Sequence, residues 1–244
     1  QKEGAKVGIL DADIYGPSQP KMLGSNAMPE LDTSNPKQKR LFPVIKYNLQ
    51  TMSMGYLIEQ DKAMIWRGPM VSSALQQLIN DTKWQNLDYL IIDLPPGTGD
   101  IQLTLSQKIP VTAAITITTP QDISLLDARR AIKMFDKVNI KNLGVIENMS
   151  YHICPNCEHK THLFGKNGGA SLAQESNINL IGQVPLNINI RQETDNGCPS
   201  VIHDPESEIS QIFCKMARII SHKIAKLPRS YAHIMPNVKV TSKT

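Results

Sequence analysis

Apolar residues along the chain follow two rhythms, and each predicts a different element. "KVGILDAD", "DYLIIDLP", "VTAAITITTP" and "NLGVIENMS" are short β-rich runs with little polar interruption, the pattern of strands covered on both faces. Between them, "GPMVSSALQQLINDTKW" and "DISLLDARRAIKMFDKV" carry apolar residues at helical spacing, and Asp122 stands where it can cap the second helix. "LFPVIKYNLQTMSMGYLI" reads as a strand pair, "INLIGQVPL" as a further strand, and Tyr15 to Arg40 as an irregular polar stretch. Near the end, "SEISQIFCKMARIISHKIAKL" is a helix whose Ile209, Ile212, Phe213, Met216, Ile219 and Ile220 form one apolar face, read as core-facing.

Strands alternating with helices imply an α/β fold in three layers, a mainly parallel sheet flanked by helices. One domain over residues 1–228 is expected, with a loop at about 151–165 set apart by its cysteines and a polar tail over 229–244. In such a sheet ligands bind beyond the carboxyl ends of the strands. The residues there are Asp11 and Asp13, Asp93 with its Pro-Pro-Gly-Thr-Gly turn, "TTPQD" and "ENMS".

Composition narrows the partners. With 26 basic and 22 acidic residues the net charge is +4, too small and too dispersed to mark a nucleic-acid-binding surface. No apolar run approaches the roughly 18 residues that a membrane span needs. Neither nucleic acid nor membrane is therefore expected as a partner. Four cysteines do not make a disulfide framework, and without secretory features they favour a reducing, cytoplasmic setting.

The chemistry follows from the strand ends. Asp93 sits where a carboxylate supports magnesium, and Gly97, Thr98 and Gly99 suit backbone amides that approach phosphate oxygens. Asp11 and Asp13, two residues apart in extended chain, share a face on which one could orient water and the other support the metal. Cys154 and Cys157 in "CPNC" have the spacing of two thiolates aimed at one metal, yet two do not close a tetrahedral site. His152, His159 or His162 would complete a local zinc site; a second copy of the chain would complete a [4Fe-4S] site; a redox dithiol is a third option. Asn148 is a candidate base contact. Arg67 and Arg191 have no assigned role.

"GAKVGILDADIYGPSQPKMLG", "IWRGPM", "WQNLDYLIIDLPPGTGDIQLTLSQ", "TTPQD", "LGVIENMSYHICPNC", "LFGKNGG" and "IGQVPL" together resemble the Mrp-type iron-sulfur cluster carrier ATPases, deviant P-loop proteins related to MinD. The resemblance implies an ATP-dependent homodimer with Mg2+. It holds a [4Fe-4S] cluster bridged by Cys154 and Cys157 of two subunits and passes the cluster to apo iron-sulfur proteins. By the same matching Asp13 looks like the water-positioning residue with Asp11 beside it, Asp93 like the magnesium-side aspartate, and Asn148 and Pro185 like the adenine contacts. Relatives carry a GKGGVGKS-type loop about 30 residues, one strand and one helix, before "GAKVGILDAD". The fold is thus expected to be a P-loop NTPase lacking its N-terminal segment, with hydrolysis in the full-length protein and little or none from Gln1 onward alone. A zinc-stabilised nucleotide-binding protein and a MinD-like positioning ATPase are the alternatives.

Overall fold

The computed structural model describes residues 1–34, 39–57, 68–97, 99, 102–103 and 109–228; Arg67, Thr98 and the tail 229–244 lie outside them. In chain order the first half forms β1 (Val7–Asp11), α1 (Gln19–Met22), β2 (Leu31–Asp32), β3 (Arg40–Leu41), β4 (Val44–Lys46), β5 (Leu49–Ser53), α2 (Gly68–Asp81) and β6 (Tyr89–Asp93). The second half forms β7 (Ala114–Thr118), α3 (Asp122–Lys137), β8 (Asn142–Glu147), β9 (His152–Ile153), β10 (Lys160–Thr161), α4 (Gly168–Glu175), β11 (Asn179–Gln183), α5 (Ile188–Asp195), α6 (Ser200–His203) and α7 (Glu208–Ala225).

The long apolar strands pair in parallel, an arrangement that requires crossover connections rather than tight hairpins between neighbours. β1 lies between β5 and β6, and β8 lies between β7 and β11, all in parallel. Among the described residues the pairing forms two main sheets, in the orders β4-β5-β1-β6 and β11-β8-β7. The antiparallel member is β4, turned back onto β5 by Tyr47 and Asn48, both at positive φ (50° and 59°). That is the two-residue turn whose twist matches a hairpin, and it accounts for the predicted strand pair.

Helices cover these sheets through the faces their periodicity predicted. Val71, Leu75 and Leu78 of α2 pack on Leu10, Met52 and Met54. On the other sheet, Leu125, Ala128 and Ile132 of α3 meet Val145 together with Leu172 and Ala173 of α4. Ile212, Phe213, Met216, Ile219 and Ile220 of α7 pack with Leu143, Ile181 and Val184. Each fully buried aliphatic side chain contributes about 1.5–3 kcal/mol. The apolar face of α7 is therefore core, and no helix among the described residues is long and apolar enough to cross a membrane. One local expectation is corrected. Asp122 is the first residue of α3, not its cap; Gln121 holds the extended capping position without a side-chain hydrogen bond. The helix begins one turn position earlier than the polar pattern suggested, and Asp122 complements the positive end of the helix from its first turn.

Candidate functional site

Parallel register brings three strand ends level. Asp11 is paired with Ser53 of β5 on one side and with Asp93 of β6 on the other. The carboxylate of Asp11 is 1% exposed. Its Oδ2 accepts from the Ser53 hydroxyl at 2.9 Å and from the backbone N–H groups of Ser18 and Gln19 at 3.0 and 3.2 Å, while Oδ1 accepts from Asp13 N–H at 3.2 Å. Burial pushes its pKa up, the hydrogen bonds from Gln19, Ser53 and Asp13 pull it down, and the charge of Asp93 adds to the upward shift. Asp11 thus gathers the loop between β1 and α1 around itself.

Asp13 has a different environment, so the two carboxylates do not act from one shared face. β1 ends at Asp11, and the chain then bends so that Asp13 Oδ1 accepts Gly16 N–H at 3.0 Å. Asp13 lines a cleft of about 500 Å3 with Tyr15, Gly16, Pro95, Pro96, Gly99 and Gln102. Asp93 is exposed at the same rim, and its Oδ2 accepts from Gln19 Nε2 at 2.8 Å. Gln102 Nε2 donates to the carbonyls of Pro95 and Pro96 at 3.1 and 3.0 Å, which pins the turn after Asp93. Gly97 has φ +95°, a conformation that favours glycine, and a Cβ there would meet nothing within 4 Å among the described residues. A larger cleft of about 600 Å3, lined by Leu41, Met54, Met70, Leu78 and neighbours, has Asp81 as the one charged residue among its described lining and does not suit a phosphate.

The second rim lies at the ends of β7, β8 and β11. Thr118, Glu147 and Gln183 are level in register. Asn148 N–H donates to Thr118 O at 2.7 Å, Val184 N–H to Glu147 O at 2.9 Å, Ser150 N–H to Val184 O at 2.9 Å and Leu186 N–H to Tyr151 O at 2.7 Å. This ladder continues past the strands and puts Asn148 and Pro185 on adjoining segments. Asn148 Oδ1 accepts the N–H of Met149 at 2.9 Å, which orients the amide. Beneath them Glu147, wholly buried, accepts from Ser150 Oγ (2.5 Å), Gln183 Nε2 (2.8 Å) and Gly169 N–H (2.5 Å). Gly169 is required there, since a Cβ would sit 2.9 Å from that of Glu147.

Directly after this rim comes a two-stranded hairpin, β9 with β10, and "CPNC" is its tip. Cys154 N–H donates to His159 O at 3.1 Å and Glu158 N–H to Cys154 O at 2.9 Å, closing the knuckle. Cys154 is half-buried and Cys157 exposed, and both are free thiols. Backbone N–H groups of Asn156 and Cys157, and then the Cys157 side chain, draw the Cys154 thiol below its ordinary range. A Cys157→Ser variant should therefore alkylate at Cys154 with a pH midpoint below the roughly 8.5 of a free cysteine. A midpoint at or above that value in iodoacetamide rate measurements would contradict the stabilisation by the knuckle amides. Among the described residues no three His, Cys, Asp or Glu side chains converge as a metal site. His162 has its Nδ1 on Ser150 O at 3.0 Å instead. Arg191 pairs with Asp195 on an exposed turn of α5.

The sequence names Asp11, Asp13 and Asp93 at the first rim, Asn148 and Pro185 at the second, and the two thiols as candidates. It does not single out Gln19, Ser53, Gln102 and Gln183, which hold those residues in place, and it gives Glu147 only as the first residue of "ENMS". A polar residue closing an uninterrupted apolar strand, as Ser53 and Glu147 do, was the one available signal.

The family model described as ParA: NUBPL iron-transfer P-loop NTPase matches residues 1–221. The iron-sulfur cluster carrier protein of Haemophilus influenzae is 53% identical over 92% of this chain and 60% of its own length. That of Escherichia coli strain K12 is 53% identical over 88% and 58%. The iron-sulfur cluster transfer protein NUBPL of Mus musculus is 43% identical over 91% and 68%. The chain thus spans about three fifths of the length of the bacterial relatives (60% and 58%). Among solved structures, the nucleotide-binding protein from Archaeoglobus fulgidus in complex with ADP has a TM-score of 0.71 at 32% identity, covering 87% of this chain and 81% of that one. The cell division ATPase MinD of Pyrococcus furiosus has a TM-score of 0.64 at 19% identity over 91% and 87%, a likeness of fold.

Proposed function

Since the chain belongs to the family of NUBPL iron-transfer P-loop NTPases, we propose that it is an ATP-dependent iron-sulfur cluster carrier. It binds a [4Fe-4S] cluster between two copies and delivers it to apo iron-sulfur proteins. The observation that carries this reading is the thiol pair. Cys154 and Cys157 stand at the tip of a hairpin, one of them exposed, with no third ligand beside them among the described residues. Two thiolates per chain leave a four-thiolate cluster half liganded, and a symmetry-related copy supplies the other half. The names of the bacterial and mouse relatives point to the same cargo.

The nucleotide belongs at the two rims. Asp93 would support Mg2+, Asp13 would orient water at the terminal phosphate, and the backbone amides of Gly97, Thr98 and Gly99 are proposed to approach phosphate oxygens. Asn148 and Pro185 would hold the adenine. Asp11 contributes by shaping the loop that carries Asp13, since its own oxygens are taken by four donors. Mg2+ would supply charge neutralisation on the phosphates. ATP hydrolysis is proposed as the activity of this family's nucleotide site, with little expected from these 244 residues by themselves, which contain no GxxxxGK[ST] loop. A reducing compartment such as the cytoplasm suits four free thiols.

Anaerobic reconstitution with iron and sulfide tests the cargo. The parent should hold about four irons and four acid-labile sulfides per two chains, and Cys154→Ala/Cys157→Ala should hold none. One tightly held zinc per chain without labile sulfide would overturn the carrier reading.

A further inference from the structure

We propose that His162 is a positioning residue that locks the thiol hairpin to the base-side turn, so that loading either end changes the other. The inference rests on the reading that Asn148 faces a nucleotide and that Cys154 and Cys157 bind metal. Residues 149–153, which connect these two places, have little freedom of their own. Met149 is held at φ +53°, Ser150 N–H and Tyr151 O are both engaged by the segment 184–186 that follows β11, and His152 and Ile153 pair with Thr161 and Lys160.

Ser150 is the node. Its hydroxyl donates to buried Glu147, its N–H donates to Val184 O, and its carbonyl accepts from His162. A carbonyl only accepts, so the His162 ring carries its proton on Nδ1. The ring also stands edge to face with Tyr151, centroids 6.5 Å apart at 66°, and Lys160 Nζ lies 3.7 Å over the other ring. Tyr151, Lys160 and His162 thus fasten the base of the hairpin, with the thiols on one side of the joint and Asn148 on the other. The knuckle that carries the thiols is tied through Cys154 and His159 to the strands that this joint fastens, so a shift of Cys154 or Cys157 on binding metal reaches Asn148 through Ser150. Linkage makes the effect reciprocal.

The test loads each end separately. Cd2+ alone is added to the parent, His162→Ala and His162→Asn, binding is followed by the ultraviolet thiolate-to-cadmium band, and amide hydrogen exchange is read at Ser150 and Leu186. In the parent, Cd2+ should change exchange at these amides by about fivefold or more, the lower end of typical coupling between linked sites. His162→Ala should show the same band with little change at Ser150 and Leu186. His162→Asn, whose amide can still donate to Ser150 O, should recover part of it. A purely structural role would lower the melting temperature of His162→Ala without a cadmium-dependent difference. Unchanged exchange in the parent while the band forms overturns the proposal.

If the band does not form, the metal half of the functional reading fails, and the joint is judged from its other end. Bound ADP, followed by calorimetry, should then alter the iodoacetamide rate at the thiols in the parent and not in His162→Ala. ADP that binds without altering that rate overturns the proposal. Binding at neither end removes the functional reading and the joint together.

Discussion

Asp11→Ala is expected to lower the unfolding free energy by about 3 kcal/mol, with a fall of about 6–12 °C in melting temperature for a chain of this size. The substitution strands three backbone N–H groups and the Ser53 hydroxyl in a site that is 1% exposed. At about 1 kcal/mol for each lost partner the deficit is about 4, and removing a buried carboxylate returns roughly 1 of it. The pH dependence gives a second signature. Burial raises the folded-state pKa of Asp11 above its unfolded value, so between the two values the native state binds more protons. The stability from this group is fully present below the ordinary aspartate pKa of about 3.9 and is lost as pH rises through the raised value. In Asp11→Asn, which cannot titrate, that slope should vanish in denaturant titrations across this window. A variant as stable as the parent would mean that the loop before α1 is held by something other than this carboxylate.

Glu147→Ala is expected to have the next largest effect, about 2–3 kcal/mol, because it strands Ser150 Oγ, Gln183 Nε2 and Gly169 N–H in a fully buried site. Glu147→Gln should lose about half as much, since one oxygen remains an acceptor while the new amide faces a donor. Thermal unfolding of both variants checks the order. Beyond stability, the ladder that carries Asn148 and Pro185 should loosen, visible as faster amide exchange at Asn148, Ser150 and Leu186. Equal stability of parent and Glu147→Ala would show that the rim is built without its buried carboxylate.

These two residues also mark where the sequence stopped being legible. Periodicity revealed α2, α3, α7 and the strands β1, β6, β7 and β8, because each buries one continuous face and repeats it at a fixed spacing. The thiol pair was legible too, since its chemistry depends on four consecutive residues. Asp11 was visible as a strand-end carboxylate, but its burial depends on Ser53, 42 residues away, and on a loop that folds back over it. Glu147 looks like a solvated rim residue until Gly169 and Gln183, 22 and 36 residues further on, close over it. Asp122 was misplaced by one position because a polar residue before a helix suits both the capping position and the first turn. Pairing of distant polar groups has no period, and a single sequence carries little trace of it.

The most direct test of the account is native mass spectrometry of the anaerobically reconstituted chain beside its Cys154→Ala/Cys157→Ala variant. The parent is expected to give a species of two chains plus one [4Fe-4S] cluster, and the variant none. A parent that carries its metal as a single chain, or a cluster that survives loss of both thiols, would contradict it.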